Sequence, residues 1–256
     1  MKHAFADKYS SLRSPIHSLD PRSKSLATFL YILVVVLTPV TEPAKFIAYL
    51  LVLMVALALS GIPPIHIIKR VATALPFVLL IVMFVPFFKE GERAGSIAVG
   101  PVVVVVTVEG LRIMTGVIVK SSMAVAALAM LIGSTRFSDL LKGFEKMQVP
   151  SIMVSVLAFM YRFIFVLTDD AQRLVRAFSL RSFGGFRLRK IRAVGNMIGL
   201  LFIRTYERAE RIFAAMVLRG YEGRTRTMSR LELRARDALF FAVFAGSILA
   251  IRLGRF

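Results

Sequence analysis

Five apolar passages interrupt a chain that is otherwise polar and basic: residues 26–40, 44–59, 71–88, 113–133 and 238–251. A helix crosses the hydrocarbon of a bilayer with about 20 such residues. The third passage carries no charge and the fourth only Lys120, so both qualify unaided. The first, second and last reach across by recruiting their flanks. The pattern therefore predicts spanning helices at about 25–41, 43–60, 70–88 and 111–133, and a fifth within 237–256. Between the first two, Thr38-Pro39-Val40-Thr41-Glu42-Pro43 reads as a tight prolyl turn that closes a helical hairpin. Residues 102–108 are β-branched and lie between Gly100-Pro101 and Glu109-Gly110, which predicts a short strand outside the membrane.

Residues 135–236 follow another rule. They have helical periodicity, few prolines, and opposite charges four apart, as in Asp169/Arg173 and Glu207/Arg211. Within them residues 151–168 carry one charge, Arg162, and by hydropathy alone would count as a span. The only return segment is 193–203, about 11 apolar residues and too short to cross. Both are therefore predicted to be amphipathic helices lying beneath the membrane or against its helices. The fold class is an all-α polytopic membrane protein with about five spans, a polar N-terminal arm at 1–24, and a basic helical module between the fourth span and the fifth.

Composition sharpens this picture. Of 256 residues, 57% are hydrophobic and 19% charged, too apolar for one soluble core. Yet 34 Lys and Arg face 15 Asp and Glu, for a net charge of +19. The basic residues are segregated: five in the N-terminal arm, Lys69 and Arg70 in the second loop, and 20 over residues 134–237. Alternating sides puts these 27 together against about five opposite, which makes their side the cytoplasm of an inner (plasma) membrane. No cysteine is present, which excludes a disulfide framework and a thiolate centre. The three histidines are scattered, so no metal site, catalytic residue or cofactor is expected. No G-x-x-x-x-G-K-[ST] loop occurs, so ATP is not expected to bind this chain in that manner. Residues 1–24 show no apolar signal segment.

The basic module contains a duplication. AQRLVRAFSLRSFGG at 171–185 aligns without gaps with AERIFAAMVLRGYEG at 209–223, with six of 15 positions identical. The identities are Ala171/Ala209, Arg173/Arg211, Ala177/Ala215, Leu180/Leu218, Arg181/Arg219 and Gly185/Gly223; Ser182 and Gly220 are both small. In each unit a small Ala permits close approach, and Leu and Arg follow at i+3 and i+4 on the same face. A small residue, an aromatic and a glycine then end the helix. Two helix tips result, each with one guanidinium beside one apolar anchor. Such a pair suits a partner that offers two equivalent sites. The plainer readings are arginines that merely complement the helix dipole, or a basic surface on anionic lipid, which suits Arg187, Arg189, Lys190 and Arg192.

These residues resemble a known family. Leu19-Asp20-Pro21-Arg22-Ser23-Lys24, Phe137-Ser138-Asp139-Leu140-Leu141, Val149-Pro150, Met160-Tyr161-Arg162-Phe163 and Asp169-Asp170 are similar to motifs of the transmembrane T component of energy-coupling factor (ECF) transporters, in its cobalt-type (CbiQ-like) subfamily. The arginine motif of that family is Ala-Arg-small; Leu180-Arg181-Ser182 and Leu218-Arg219-Gly220 keep the arginine and the small residue and replace the alanine. The resemblance implies a non-catalytic subunit joining two ABC-type ATPase subunits to a substrate-binding S component in the membrane. Ala177, Leu180, Arg181, Ser182, Ala215, Leu218, Arg219 and Gly220 would dock the ATPases. Arg162, Arg173, Arg211, Gly185 and Gly223 would support the coupling helices. Cobalt(II) is the implied substrate, with nickel, biotin or another vitamin as alternatives.

A different class of function would be an autonomous secondary carrier, or a membrane-anchored anion or nucleic-acid binder. A carrier calls for paired broken spans with polar groups at the midplane, whereas here the repeat lies outside the spans. The arginines alternate with acids and the aromatics are mostly Phe in apolar runs, which argues against nucleic acid. Lys120, inside a span, marks a functional position by its cost there; Glu109, Arg112 or a helix interface would face it. Met114, Met123 and Met130 are read as packing, and His66 as a loop residue.

Overall fold

A computed structural model describes residues 14–88, 93–99, 102–181, 187–223 and 234–254. In chain order the elements are α1 (Pro21–Leu37), α2 (Pro43–Ser60), α3 (Pro64–Val82), α4 (Val85–Phe88), β1 (Arg93–Val99), β2 (Val102–Thr107), α5 (Val108–Ser134), α6 (Phe137–Lys146), α7 (Ser151–Arg181), α8 (Arg187–Leu218) and α9 (Ala235–Leu253). Proline opens α1, α2 and α3, where its missing N–H costs nothing. Asp20 caps α1 by accepting from the Arg22 N–H at 2.8 Å, and the Thr107 hydroxyl caps α5 by accepting from the Gly110 N–H at 3.3 Å. Gly61, at φ +67°, ends α2 in the left-handed region.

The chain forms two compact units, one of Phe144–Arg230 and one of Lys2–Gly143 with Leu231–Phe256. In the second, helix direction can be read from polar contacts at its two ends. At one end the Asp20 N–H donates to Asp237 Oδ1 at 2.9 Å, and Lys24 Nζ donates to the Ser134 carbonyl at 3.2 Å. The starts of α1 and α9 therefore meet the finish of α5. Gly133 belongs to the same end, because a Cβ there would lie 3.0 Å from Ile62 in the α2–α3 turn. At the other end Lys45 Nζ, in the first turn of α2, donates to the Arg252 carbonyl of α9 at 3.0 Å. Gly116 of α5 abuts Val40, and Gly110 abuts Pro86 of α4. Consecutive members of the series α1, α2, α3, α5, α9 thus run in alternate directions. Their common core holds Tyr31, Val35, Tyr49 and Ile248, all essentially without exposure. The Tyr31 hydroxyl donates to the Tyr49 carbonyl at 3.2 Å, which satisfies a polar group that burial would otherwise penalise.

Among the described residues four helices are long and apolar enough to cross a membrane: Pro43–Ser60, Pro64–Val82, Val108–Ser134 and Ser151–Leu180. The chain is a helical, polytopic membrane protein, and the expected prolyl hairpin joins α1 to α2. Several boundaries differ from the sequence reading. The third span is not 70–88: its helix begins at Pro64 and ends at Val82, with α4 separate. Pro64 starts it and charges near a helix end can reach the interface, so Lys69 and Arg70 ride on α3 and the second loop shrinks to residues 61–63. His66 likewise sits in the first turn of α3 rather than in a loop. The strand expected at 102–108 is β2, which stops at Thr107 because Thr107 caps α5; it pairs antiparallel with β1, which had no distinct sequence signal. Finally, α7 satisfies the length and apolarity of a span, whereas the missing return segment had placed residues 151–168 outside the bilayer.

Candidate functional site

The unit Phe144–Arg230 is built on α7 and α8. Asp170 of α7 pairs with Arg208 of α8 at 2.8 Å. Earlier in α7, the Phe159 ring meets Tyr221, just past the end of α8, edge to face at 6.5 Å. An early residue of one helix thus faces a late residue of the other, and the two run in opposite senses. Residues 151–168 and 193–203, predicted as separate amphipathic helices, are stretches of these two continuous helices of 31 and 32 residues.

The two arginine motifs fall at the helix ends that the duplication predicts. The backbone places Arg181 as the last residue of α7, with Leu180 75% exposed one position before it. Ala177 and Arg173 are exposed on the same helix. Ser182 and Gly185 lie outside the described residues. The second tip is described in full. The Tyr221 N–H donates to the Met216 carbonyl at 3.0 Å, and the Gly220 N–H to the Val217 carbonyl at 3.0 Å. Together these bonds form a Schellman closure, with Gly220 at φ +79° in its left-handed position. Sequence reasoning had put the terminating glycine at Gly223. The helix stops one turn sooner, at Gly220, and Gly223 makes a further left-handed turn at φ +82°.

This closure leaves Arg219 as the exposed capping residue, with Leu218 88% exposed and Ala215 exposed on the preceding turn. Arg219 has no ion-pair partner among the described residues. The tips lie far apart. Tyr221 sits at the level of Phe159, and from Phe159 to Arg181 the helix runs about 33 Å at ~1.5 Å per residue. The structure therefore does not gather the residues expected to dock a partner into one site; it puts the two motifs at opposite ends of a helix pair. Each motif pairs an arginine, a residue type able to make charge-assisted bonds, with a leucine that is largely exposed.

The supporting residues divide. Arg211 makes the anticipated helical pair with Glu207, at 3.8 Å and largely exposed, which is worth little by itself. Arg162 is exposed on the first half of α7. The tie between α7 and α8, Asp170 to Arg208, escaped sequence reasoning because a pair joining two helices carries no fixed spacing.

In the other unit Lys120 does not meet Glu109 or Arg112. Its Nζ donates to the Val36 carbonyl at 2.9 Å and lies 5.9 Å from the centre of the Phe46 ring. It thus satisfies a terminal carbonyl of α1 at the negative end of that helix. Met123 and Met130 are buried in the core, as packing residues should be. Asp237 was not singled out from the sequence. One of its oxygens accepts from the Asp20 N–H and the other from the Arg234 N–H, each at 2.9 Å, so it ties the entries of α1 and α9 together.

The sequence matches the family described as cobalt transport protein, CbiQ, over residues 13–229. It is similar to the energy-coupling factor transporter transmembrane protein EcfT of Streptococcus thermophilus, with 30% identity over 88% of each chain. EcfT of Heliobacterium modesticaldum is 26% identical over 98% of this chain and 97% of its own. The cobalt transport protein CbiQ of Rhodobacter capsulatus is 26% identical over 56% of this chain and 59% of its own.

Proposed function

The chain belongs to the CbiQ cobalt transport protein family of energy-coupling factor transmembrane (T) components, and we propose that it couples two ABC-type ATPase subunits to a substrate-binding S component. One observation carries this reading. Two helix ends about 33 Å apart repeat the order leucine, arginine, small residue, and their leucines are 75% and 88% exposed. Each tip seats in one ATPase. ATP-driven closure of the ATPases moves the two seats relative to each other and levers α7 and α8, which act on the S component. ATP is hydrolysed by the partners.

The orientation follows from where the charge sits. The entry of α1, the finish of α5 and the entry of α9 share one end of the helical unit, and the basic excess adjoins those same three points in the sequence. That end faces the cytoplasm of the inner membrane. Although α7 is apolar enough to cross, it stays on the cytoplasmic side. The helix after it begins Arg187-Leu188-Arg189-Lys190 and carries Arg204, Arg208 and Arg211, so it gives no return span. Cobalt(II) is the proposed cargo, drawn from the family's description; a nickel or vitamin S component would work through the same seats.

The test is co-purification of the tagged full chain with added ATPase subunits, comparing Arg181→Ala and Arg219→Ala. Truncating one partner of a desolvated charged contact costs about 2–5 kcal/mol. Each variant should therefore lose ATPase at one seat while inserting in the membrane at the normal level. Equal insertion with unchanged ATPase retention in both variants would overturn the docking role.

A further inference from the structure

The chain passes between its two units twice, at Gly143–Phe144 and at Arg230–Leu231. Inside the helical unit, both passages are tied to the entry of α1. On the outgoing side α6 packs on α1: a Cβ at Gly143 would lie 3.6 Å from the Pro21 side chain and 3.7 Å from the Arg22 backbone. On the returning side Asp237 joins α9 to α1 through the Asp20 N–H. Between the two stands Lys24, which is 5% exposed. Its Nζ donates to the His17 carbonyl at 3.3 Å and to the Ser134 carbonyl at 3.2 Å. The carboxylates of Asp139, Asp20 and Asp237 are its electrostatic partners. One ammonium group thus stands among the starts of α1, α6 and α9 and the finish of α5.

The far end of the same unit is closed in the same way. Lys45 Nζ donates to the Arg252 carbonyl of α9 at 3.0 Å, and Lys120 Nζ to the Val36 carbonyl of α1 at 2.9 Å. In all three cases an amine from one helix satisfies a terminal carbonyl of another. Apolar side chains of similar volume would hold a core as well; what directional bonds add is a fixed position for each helix end.

Just past Gly143 the backbone changes character. The Val149 N–H donates to the Phe144 carbonyl at 3.2 Å and ends α6. Gln148 takes the left-handed position of that closure at φ +66°, the one non-glycine residue to do so among the described residues. Pro150 follows, so α6 and α7 share no continuous helical bonding. Beyond this joint, the ion pair between α7 and α8 has side chains 28% and 41% exposed, where water screens it.

We propose that the buried knot at the entry of α1, with Lys24 and Asp237 as its positioning residues, is the fixed anchor of the unit that carries the arginine tips. Because both chain passages are held at one place, motion of α7 and α8 is taken up at the joint 147–150 and stops short of α1 and α9. This rests on the coupling role proposed above, and it adds which residues keep the helical unit still while the tips move.

The test is hydrogen exchange, read by mass spectrometry, on the full chain in complex with its ATPase subunits, with and without a non-hydrolysable ATP analogue. In the wild-type complex the nucleotide should alter exchange in α7, α8 and the joint 147–150, and leave the first two turns of α1 and α9 unchanged. Lys24→Met keeps the stem and removes the donor. It should speed exchange in those turns by roughly 10-fold or more, the loss of a charge-assisted bond read through local opening, and make their rate depend on the nucleotide. Asp237→Asn, a milder change that keeps one acceptor, should do the same to a smaller extent. Tyr31→Phe removes a buried hydrogen bond of the same unit outside the knot and should keep the wild-type response. Faster exchange in Lys24→Met that is equal with and without nucleotide would overturn the proposal, because the knot would then only hold the fold. So would a nucleotide response in those turns of the wild-type chain. A wild-type complex in which the nucleotide alters nothing in α7 and α8, with the ATPases bound, would instead fail the coupling role itself.

Discussion

Lys120 shows how an expensive residue is made tolerable inside a span. An amine in hydrocarbon must find an acceptor, and a helix C-terminus leaves carbonyls without amide partners. Lys120 Nζ on the Val36 carbonyl answers both needs, with the Phe46 ring face nearby. Lys120→Met keeps most of the stem and removes the donor. It should destabilise the helical unit by about 1–2 kcal/mol, the scale of a charged hydrogen bond discounted for partial exposure, read as a lower melting temperature in detergent. Lys120→Arg should recover most of the loss, and a melting temperature indifferent to both changes would refute the pairing. The position was conspicuous in the sequence as the one charge in the apolar passage 113–133; its partner was not. A backbone carbonyl 84 residues away has no residue type to mark it. Asp237 was hidden for the same reason, since its bond to the Asp20 N–H spans 217 positions. The Leu19–Lys24 motif could be recognised by likeness, but its mechanics needed the fold.

At the level of elements, helix ends were easier to read than helix starts near charge. The duplicated units were legible because ending a helix takes particular chemistry, and Leu-Arg-small at both ends declared it. What the pattern missed was a single turn. Gly220 and Gly223 are both competent for a left-handed backbone, and only the Tyr221-to-Met216 bond decides that Gly220 closes α8. The start of α3 was misplaced because Lys69 and Arg70 were read as loop, although Pro63-Pro64 already announced a first turn. On the proposed docking role, the closure at Gly220 matters because it aims Leu218 and Arg219. Gly220→Ala puts a Cβ where φ is +79°, at a cost of about 1–2 kcal/mol. The last turn should fray while the rest of α8 persists. The expected result is weaker ATPase retention with Arg219 still present and with unchanged helix content by circular dichroism. Retention equal to that of wild type would mean that the guanidinium does not need the closure to be aimed.

On the scale of the whole molecule, the question is which helices cross. Alternation of α1, α2, α3, α5 and α9 is fixed by contacts at both ends of their unit; of these five expected spans, α2, α3 and α5 are among the four described helices long and apolar enough to cross, and α1 and α9 are not. Hydropathy is ambiguous for α7, whose first half is as apolar as a span while its second half carries Asp169, Asp170, Arg173 and Arg176. An apolar face that lies against a membrane or a partner and one that enters the bilayer have the same composition, so the sequence cannot separate them by that measure. The absence of cysteine makes the matter directly testable, because any introduced thiol reports alone. Thr41→Cys lies in the α1–α2 turn and Ser179→Cys two residues before the end of α7, both exposed. With a membrane-impermeant maleimide, the first should label in right-side-out vesicles and the second only in inverted ones. Labelling of both from the outside would mean that α7 crosses. The first arginine tip would then face away from any cytoplasmic ATPase, and the two-seat mechanism would fail whatever the family. Labelling of Thr41→Cys from the inside alone would invert the whole assignment. The two thiols therefore test directly the orientation on which the coupling role depends.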